Sequence, residues 1–133
     1  MNPYYPAVAE RAKHRCEYCR APEAIFNFPF EVEHIVPTAR GGLTVEGNLA
    51  LACRSCNLRK GSRIGGPLSS GGTEVRFFHP RQDQWGEHFQ VNIASGELVG
   101  KTAIGEVTVS SLEMNSATQT TARKLWVRLG LFP

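Results

Sequence analysis

The chain has 133 residues, of which 41% are hydrophobic and 20% are charged, and its net charge is +3. This composition is that of an ordinary folded protein with a modest core, which excludes wholesale disorder and two large independent domains. The start lacks the basic and apolar segments of a secretory leader, and no apolar run is long enough to span a bilayer, so a cytoplasmic location without membrane contact is expected.

The positive charge belongs to the first half of the chain. Residues 1–72 carry nine Lys and Arg against six Glu, whereas residues 73–133 carry six basic and six acidic residues. Four of the basic residues fall within ten positions that contain no acid: Arg54, Arg59, Lys60 and Arg63. A polyanion is the natural partner of such a surface, and a merely solvated positive face is the alternative.

The first elements of the chain are a helix and a pair of strands. Residues 6–13 predict a short helix, with a proline in its first turn and basic residues near its end. Residues 24–37 interleave Phe, Ile and Val with polar residues, which predicts a β-hairpin bent near Asn27 and Pro29. Its second strand would carry Glu33 and His34.

A loop and a helix follow. Residues 38–42 break regular structure, so residues 43–47 are expected to form an exposed loop. Residues 48–52 become apolar again, and a short helix is predicted beside Cys56 that runs through Lys60 and ends at Gly61. The order is therefore strand, strand, loop, helix.

Residues 65–72 are nearly all Gly, Ser and Pro, and they predict a linker between residues 1–64 and an extension at residues 73–133. In the extension, residues 74–79, 88–93 and 97–100 are expected to form strands, with a hairpin turn at Ser95 and Gly96. Thr102 and Ser116 are predicted to cap two helices, the second ending at Gly130. We expect this α+β extension to pack on residues 1–64 or to enlarge the surface with which they would bind a polyanion.

Two Cys-x-x-Cys pairs mark a metal site. The pairs are Cys16 with Cys19 and Cys53 with Cys56. In a reducing cytoplasm such pairs are better explained by zinc than by disulfides, since each turn delivers two thiolates to one tetrahedral ion. The 33 residues between Cys19 and Cys53 would then be held rigidly by the structural zinc.

Several motifs between and beside the cysteines occur in a specific order. They are Glu33-His34-Ile35-Val36-Pro37, Gly41-Gly42, Asn48-Leu49 and Cys53-Arg54-Ser55-Cys56-Asn57. With them, residues 10–63 resemble HNH endonucleases of the ββα-metal fold, in the subgroup whose four-cysteine zinc site brackets the catalytic strands. The resemblance implies an α+β protein whose ββα-metal core is stapled by zinc, and it implies a nuclease that leaves a 5′-phosphate and a 3′-hydroxyl.

The resemblance also implies roles for individual residues. His34 would be the general base that takes a proton from the attacking water, while Glu33 and Asn57 would bind Mg²⁺ or Mn²⁺. Asn48 would brace the loop opposite His34 through hydrogen bonds. At the position of Glu33, the family more often has Asp or His. At the position of Asn57, the family has His as well as Asn, and the lack of an imidazole there disfavours Zn²⁺ and Ni²⁺ as the catalytic ion.

Adjacent residues of a strand point to opposite faces, so Glu33 and His34 can meet one phosphate only if a twist or bulge intervenes. Phosphate contacts are predicted for the basic residues nearby: Arg40, Arg54, Arg59, Lys60 and Arg63. The expected partner is nucleic acid, most naturally double-stranded DNA.

Other interpretations are compatible with the same residues. A zinc-stabilised module that binds nucleic acid without cutting it would use the same basic stretch, and a zinc-knuckle protein-interaction domain is a third alternative. His79, Trp85 and His88 form a cluster whose spacing fits no zinc pattern, so packing or surface hydrogen bonding explains it better than a second metal site, and DNA contact is the alternative.

Overall fold

Short helices and three small sheets make up the protein, as a computed structural model describes it for residues 2–68 and 71–133. Within those residues, five α-helices accompany three two-stranded antiparallel sheets, so the predicted α+β class is confirmed. The chain divides into two compact units, Met1–Ile64 and Gly65–Pro133. No helix in the described part of the chain combines the length and the apolar character needed to cross a bilayer.

Helix α1 spans Tyr5–Arg11, close to the predicted bounds, and it has a proline in its first turn. Val8 and Ala9 form its buried face. At its end, the Arg11 guanidinium donates to the Glu46 carbonyl oxygen at 2.9 Å and to the Leu49 carbonyl oxygen at 2.5 Å. These hydrogen bonds fasten the helix to the chain that enters the second strand of the first sheet.

The first sheet pairs β1, Glu31–His34, with β2, Leu49–Ala52. The hairpin predicted within residues 24–37 is therefore wrong, since β1 takes its partner from beyond the loop. The Glu23 carboxylate accepts a hydrogen bond from the Phe30 amide at 2.7 Å, and Pro29 has no amide proton to donate. The amides of Phe26 and Phe30 are thus occupied by Glu23 and that of Pro29 has no proton, and no strand forms over residues 26–30.

Helix α2 covers Arg54–Lys60 and completes a strand, strand, helix order. The Cys53 side chain caps its start by accepting from the Cys56 amide, and Gly61, with φ +54°, ends it as predicted. Contacts from Glu31 and Glu33 on β1 reach α2, so the helix covers the sheet face from which these two side chains project.

The segment predicted as a linker is largely a hairpin. Strands β3, Gly65–Leu68, and β4, Gly71–Arg76, pair with each other, while Ser69 and Ser70 lie outside the described residues. A Cβ atom at Gly65 would lie 2.6 Å from the Val75 carbonyl oxygen, and one at Gly66 would lie 2.5 Å from the Ser111 hydroxyl. The glycines here permit close packing, which composition alone does not distinguish from flexibility.

The rest of the second unit follows the prediction closely. Strands β5, Phe89–Val91, and β6, Leu98–Gly100, form a hairpin around Gly96, which has φ +79°. Thr102 and Ser116 accept backbone hydrogen bonds as the predicted caps of two helices, Ala103–Ser111 and Ala117–Arg128. The short helix α3, Trp85–His88, was not predicted, so these last two helices are α4 and α5.

His79, Trp85 and His88 take part in packing and local hydrogen bonding. The Trp85 ring lies 5.1 Å from that of Phe89, and His88 Nδ1 lies 2.6 Å from the Thr102 hydroxyl. His79 Nδ1 accepts from a nearby backbone amide. Over the part of the chain that the structure describes, only the four cysteines gather as a potential metal-binding group.

An ion pair in the second unit makes its stability depend on pH. Two hydrogen bonds from the Arg76 guanidinium, at 2.7 and 2.9 Å, lower the pKa of Asp83 to about 2. The stabilisation is present above the ordinary pKa of about 4 and disappears as the pH falls toward 2. Because Arg76 is half-exposed, we expect a loss of about 1–2 kcal/mol.

Asp83→Asn should remove that pH dependence. Urea unfolding followed by tryptophan fluorescence reports this unit, since both tryptophans, Trp85 and Trp126, belong to it. Between pH 5 and pH 2, the wild-type midpoint should fall further than that of the variant. Glu74→Gln, which removes an exposed acid from the same unit, serves as the control. Equal pH slopes in the wild type and Asp83→Asn would contradict the assignment.

Candidate active site and metal centre

The four cysteine side chains converge on one buried point in the first unit. Their sulfur atoms all lie within 4.8 Å of one another, and the Cys19 and Cys53 sulfurs are 3.7 Å apart. A tetrahedral zinc ion with Zn–S bonds of about 2.3 Å has sulfurs about 3.8 Å apart. The cluster therefore fits a four-thiolate zinc site in its donor type and spacing.

The charge state of the cluster also suits a cation. Hydrogen bonds from Cys16 and the other two thiols lower the pKa of the Cys53 thiol far below its usual range. Hydrogen bonding to Cys16, together with burial, raises the pKa of Cys19 and of Cys56. Burial and mutual hydrogen bonding thus oppose thiolate formation at Cys19 and Cys56 in the metal-free cluster, and a divalent ion would supply the positive charge that favours it.

The first cysteine turn is fastened to strand β2 as well as to the metal site. The Glu17 amide donates to the Leu51 carbonyl oxygen at 2.8 Å, and the Leu51 amide donates to the Glu17 carboxylate at 2.9 Å. Tyr18, in the same turn, is fully buried, and its hydroxyl donates to the Glu33 carboxylate. The zinc cluster and the strand that carries Glu33 are therefore one connected structure.

A pocket of about 250 Å³ lies at the end of β1. Glu33, His34 and Asn57, the three residues at the centre of the prediction, all line it. The rest of the described lining is Val32, Pro37, Thr38 and Gly61. Strand pairing stays regular through His34, so the bulge expected from strand alternation is absent. The strand ends at His34 instead, and residues from both of its faces border the pocket there.

Glu33 is held by two polar groups. The residue is 6% exposed, and its carboxylate accepts from the Tyr18 hydroxyl and, at 3.1 Å, from the Lys60 ammonium. Burial raises the pKa of Glu33, and the nearby charge of Lys60 opposes that rise. Burial and the same carboxylate raise the pKa of Tyr18. Since a carboxylate offers about four acceptor positions, these two contacts still leave room for a cation.

Lys60 is buried, and the prediction that it contacts phosphate is wrong. It is 2% exposed, and its ammonium donates to the Glu33 carboxylate and to the carbonyl oxygens of His34 and Ile35, at 3.1, 3.1 and 2.9 Å. All three protons of the ammonium have acceptors inside the protein. Lys60 therefore holds the end of β1 in place.

Asn57 faces a carboxylate that the sequence-based prediction did not include. Its amide donates to Glu31 at 2.6 Å, and the Arg54 guanidinium donates to the other oxygen of the same carboxylate at 3.1 Å. Glu31 stands two residues before Glu33, so strand alternation places both on the face toward α2. This two-residue spacing is the sequence pattern from which Glu31 could have been predicted as a residue of the site.

Asn48 joins the loop to the chain beyond β1. Its side chain accepts from the Val36 amide at 2.9 Å and donates to the carbonyl oxygens of Val36 and Leu43 at 3.0 and 2.9 Å. His34 Nε2 lies 2.8 Å from the hydroxyl of Thr44, the residue after Leu43. The loop that the sequence predicts as exposed is exposed over residues 43–47.

The predicted phosphate-binding arginines differ in exposure and partners. Arg40, Arg54 and Arg63 are exposed, whereas Arg59 is partly buried. The Arg40 guanidinium donates to the Ser62 carbonyl oxygen at 2.7 Å, and Arg63 donates to that of Arg59. All four belong to the same unit as the pocket.

Comparison with known proteins finds one family model that matches part of the chain. Residues 16–63 match the family model described as HNH endonuclease. The match begins at the first zinc-site cysteine, and it includes β1, β2, α2 and every residue named above for the pocket. No curated protein and no solved structure matches the chain.

Proposed function

We propose that this chain, whose residues 16–63 match the HNH endonuclease family model, is a metal-dependent nuclease that hydrolyses phosphodiester bonds, with double-stranded DNA as its substrate. The observation that carries the proposal is the pocket that Glu33, His34 and Asn57 line together. A module that only binds nucleic acid has no need of a potential base and two oxygen donors in one pocket. The reduced thiols of the zinc site suit the cytoplasm, which we propose as its location.

His34 acts as the general base in this proposal. It takes a proton from a water molecule as the water oxygen bonds to phosphorus, and the bond to the 3′ oxygen breaks. The 3′ oxygen takes up a proton from solvent, which leaves a 5′-phosphate and a 3′-hydroxyl. Asn48 keeps the loop beside His34 in register through its three hydrogen bonds.

Glu33 and Asn57 are the proposed ligands of the catalytic cation. Carboxylate and amide oxygens are the donors that Mg²⁺ and Mn²⁺ prefer, so the residues present fit such an ion. When bound, the ion would stabilise charge on the leaving oxygen. Tyr18 and Lys60 would orient the Glu33 carboxylate, as groups behind metal ligands commonly do. Zn²⁺ at the four cysteines holds the scaffold.

Arg40, Arg54, Arg59 and Arg63 are the proposed phosphate contacts. Neutralising phosphates with several arginines makes affinity fall steeply with salt, whether or not the protein cuts. Binding alone therefore does not separate the nuclease from the zinc-stabilised binding module, which is the second candidate function.

The substitution His34→Ala distinguishes the nuclease from the binding module. On supercoiled plasmid with Mg²⁺ or Mn²⁺, the wild type should nick or linearise the DNA, and the variant should do so about 10²- to 10⁴-fold more slowly with unchanged DNA affinity. His14→Asn is the matched control: it removes an exposed histidine of the same unit, and asparagine tolerates the φ of +55° at that position. Chelation of the divalent ion should stop the reaction.

A different result would decide for the binding module. If the wild type and His34→Ala bind DNA equally and neither cleaves it in any divalent metal, the protein is a binder. Cleavage that survives His34→Ala unchanged would instead remove His34 from the mechanism.

A further inference from the structure

Thr44 contacts the proposed base although no motif includes it. Its hydroxyl lies 2.8 Å from His34 Nε2. Thr44 does not belong to the described residues that line the pocket, whereas His34 does. Because Nε2 already has this partner, Nδ1 is the ring nitrogen that is left for a reacting water.

The position of Thr44 is fixed by its neighbours despite its exposure. Asn48 donates to the carbonyl oxygen of Leu43, the preceding residue, and also to that of Val36, two residues after His34. Gly42 packs directly against Val36, because a Cβ there would lie 1.7 Å from the Val36 carbonyl oxygen. The loop is thus fastened to the backbone that leaves His34, and the threonine hydroxyl is held beside the ring.

A neutral imidazole carries its proton on one nitrogen only, and the partner of the other nitrogen decides which tautomer prevails. We infer that Thr44 is a positioning residue: its hydroxyl accepts a hydrogen bond from Nε2–H of His34 and so keeps Nδ1 unprotonated toward the pocket. If the hydroxyl donated instead, Nδ1 would hold the proton and could not accept one from water. This inference rests on the proposed function of His34.

Nitrogen-15 NMR of the zinc-loaded protein tests the inference without any activity measurement. At a pH where His34 is neutral, its two-bond correlations should show a protonated Nε2 and an unprotonated Nδ1. Thr44→Val keeps the shape and removes the hydroxyl, so the tautomers should mix or invert. Thr44→Ser should restore the wild-type pattern, and Thr73→Val, an exposed threonine of the second unit, should leave it unchanged.

Cleavage kinetics provide the second measurement. Loss of one hydrogen bond to the base should lower kcat about 3- to 10-fold in Thr44→Val with KM unchanged, and Thr44→Ser should recover the rate. Thr44 lies in an exposed loop, so these variants should retain the wild-type fold.

Each outcome has one meaning. A wild-type Nδ1–H tautomer, or a tautomer that does not respond to Thr44→Val, overturns the role of Thr44 even in an active nuclease. A wild type with the expected tautomer but no cleavage in any divalent metal supports the positioning contact and defeats the nuclease proposal. The two failures are therefore distinguishable.

Discussion

Removing zinc, or replacing Cys56 with Ser, is expected to unfold the unit Met1–Ile64. Structural zinc contributes on the order of 10–16 kcal/mol in small zinc modules at neutral pH, whereas a whole domain is stable by about 5–15 kcal/mol. Here the sulfurs of all four ligands are buried, and Tyr18 beside them is buried as well. Without the ion, the four cysteines lose the bonds that hold them together, and any thiolate among the buried sulfurs is left without a compensating positive charge.

Tyrosine near-UV circular dichroism reports this unit, because Tyr4, Tyr5 and Tyr18 are the three tyrosines of the chain. The tyrosine contribution should vanish on chelation, leaving that of Trp85 and Trp126 in the second unit, and it should return with about one zinc per chain. Cobalt in place of zinc should give the intense visible bands of a tetrahedral thiolate site. Ser55→Ala, between two of the ligands, is the control and should keep both metal and signal. A folded, metal-free preparation would refute the zinc assignment.

Features set by neighbouring residues could be predicted from the sequence. Thr102 and Ser116 cap their helices, and Gly61 and Gly96 adopt positive φ, because each of these roles depends on a few adjacent positions. The two cysteine turns belong to the same class. Their convergence followed from the chemistry of zinc, which requires four ligands at one point.

Features set by distant residues could not be predicted. Strand β1 pairs with Leu49–Ala52 across a long loop, and the Glu23 carboxylate occupies the Phe30 amide that a local hairpin would have used. The apparent linker pairs as strands β3 and β4, and Gly66 packs closely against Ser111 of α4. In both cases a partner that is remote in sequence overrides the local pattern.

In the candidate site, too, some features could be predicted from the sequence and others could not. His34, Asn57 and Glu33 could be named from a resemblance of motifs, and the structure brings them to one pocket. Lys60 was predicted from its charge to contact phosphate, but its side chain is buried. Lys60 is four residues after the zinc-site Cys56 on the same helix, so helical periodicity places both on the inner face, and that signal should have outweighed the basic stretch.

Lys60→Met is expected to destabilise the first unit by about 3–5 kcal/mol, because it leaves the buried carboxylate of Glu33 without its cation. The loss of stability arises because the charge of the Glu33 carboxylate is buried away from water. The loss should therefore be smaller when the carboxylate is removed as well. Glu33→Gln combined with Lys60→Met should therefore be clearly more stable than Lys60→Met alone. Urea unfolding of the zinc-loaded protein, followed by the tyrosine signal, measures the difference.

Arg63→Met is the matched control for the loss of a cation, since Arg63 is exposed and its replacement should change stability by less than about 0.5 kcal/mol. Lys60 also binds the carbonyl oxygens of His34 and Ile35, so the double variant should regain stability without regaining the wild-type geometry at the end of β1. If the proposed nuclease activity is present, its kcat should stay low in the double variant, which also lacks the Glu33 carboxylate proposed to bind the catalytic cation. A Lys60→Met protein that unfolds at the wild-type urea concentration would show instead that the buried pair contributes nothing to the fold.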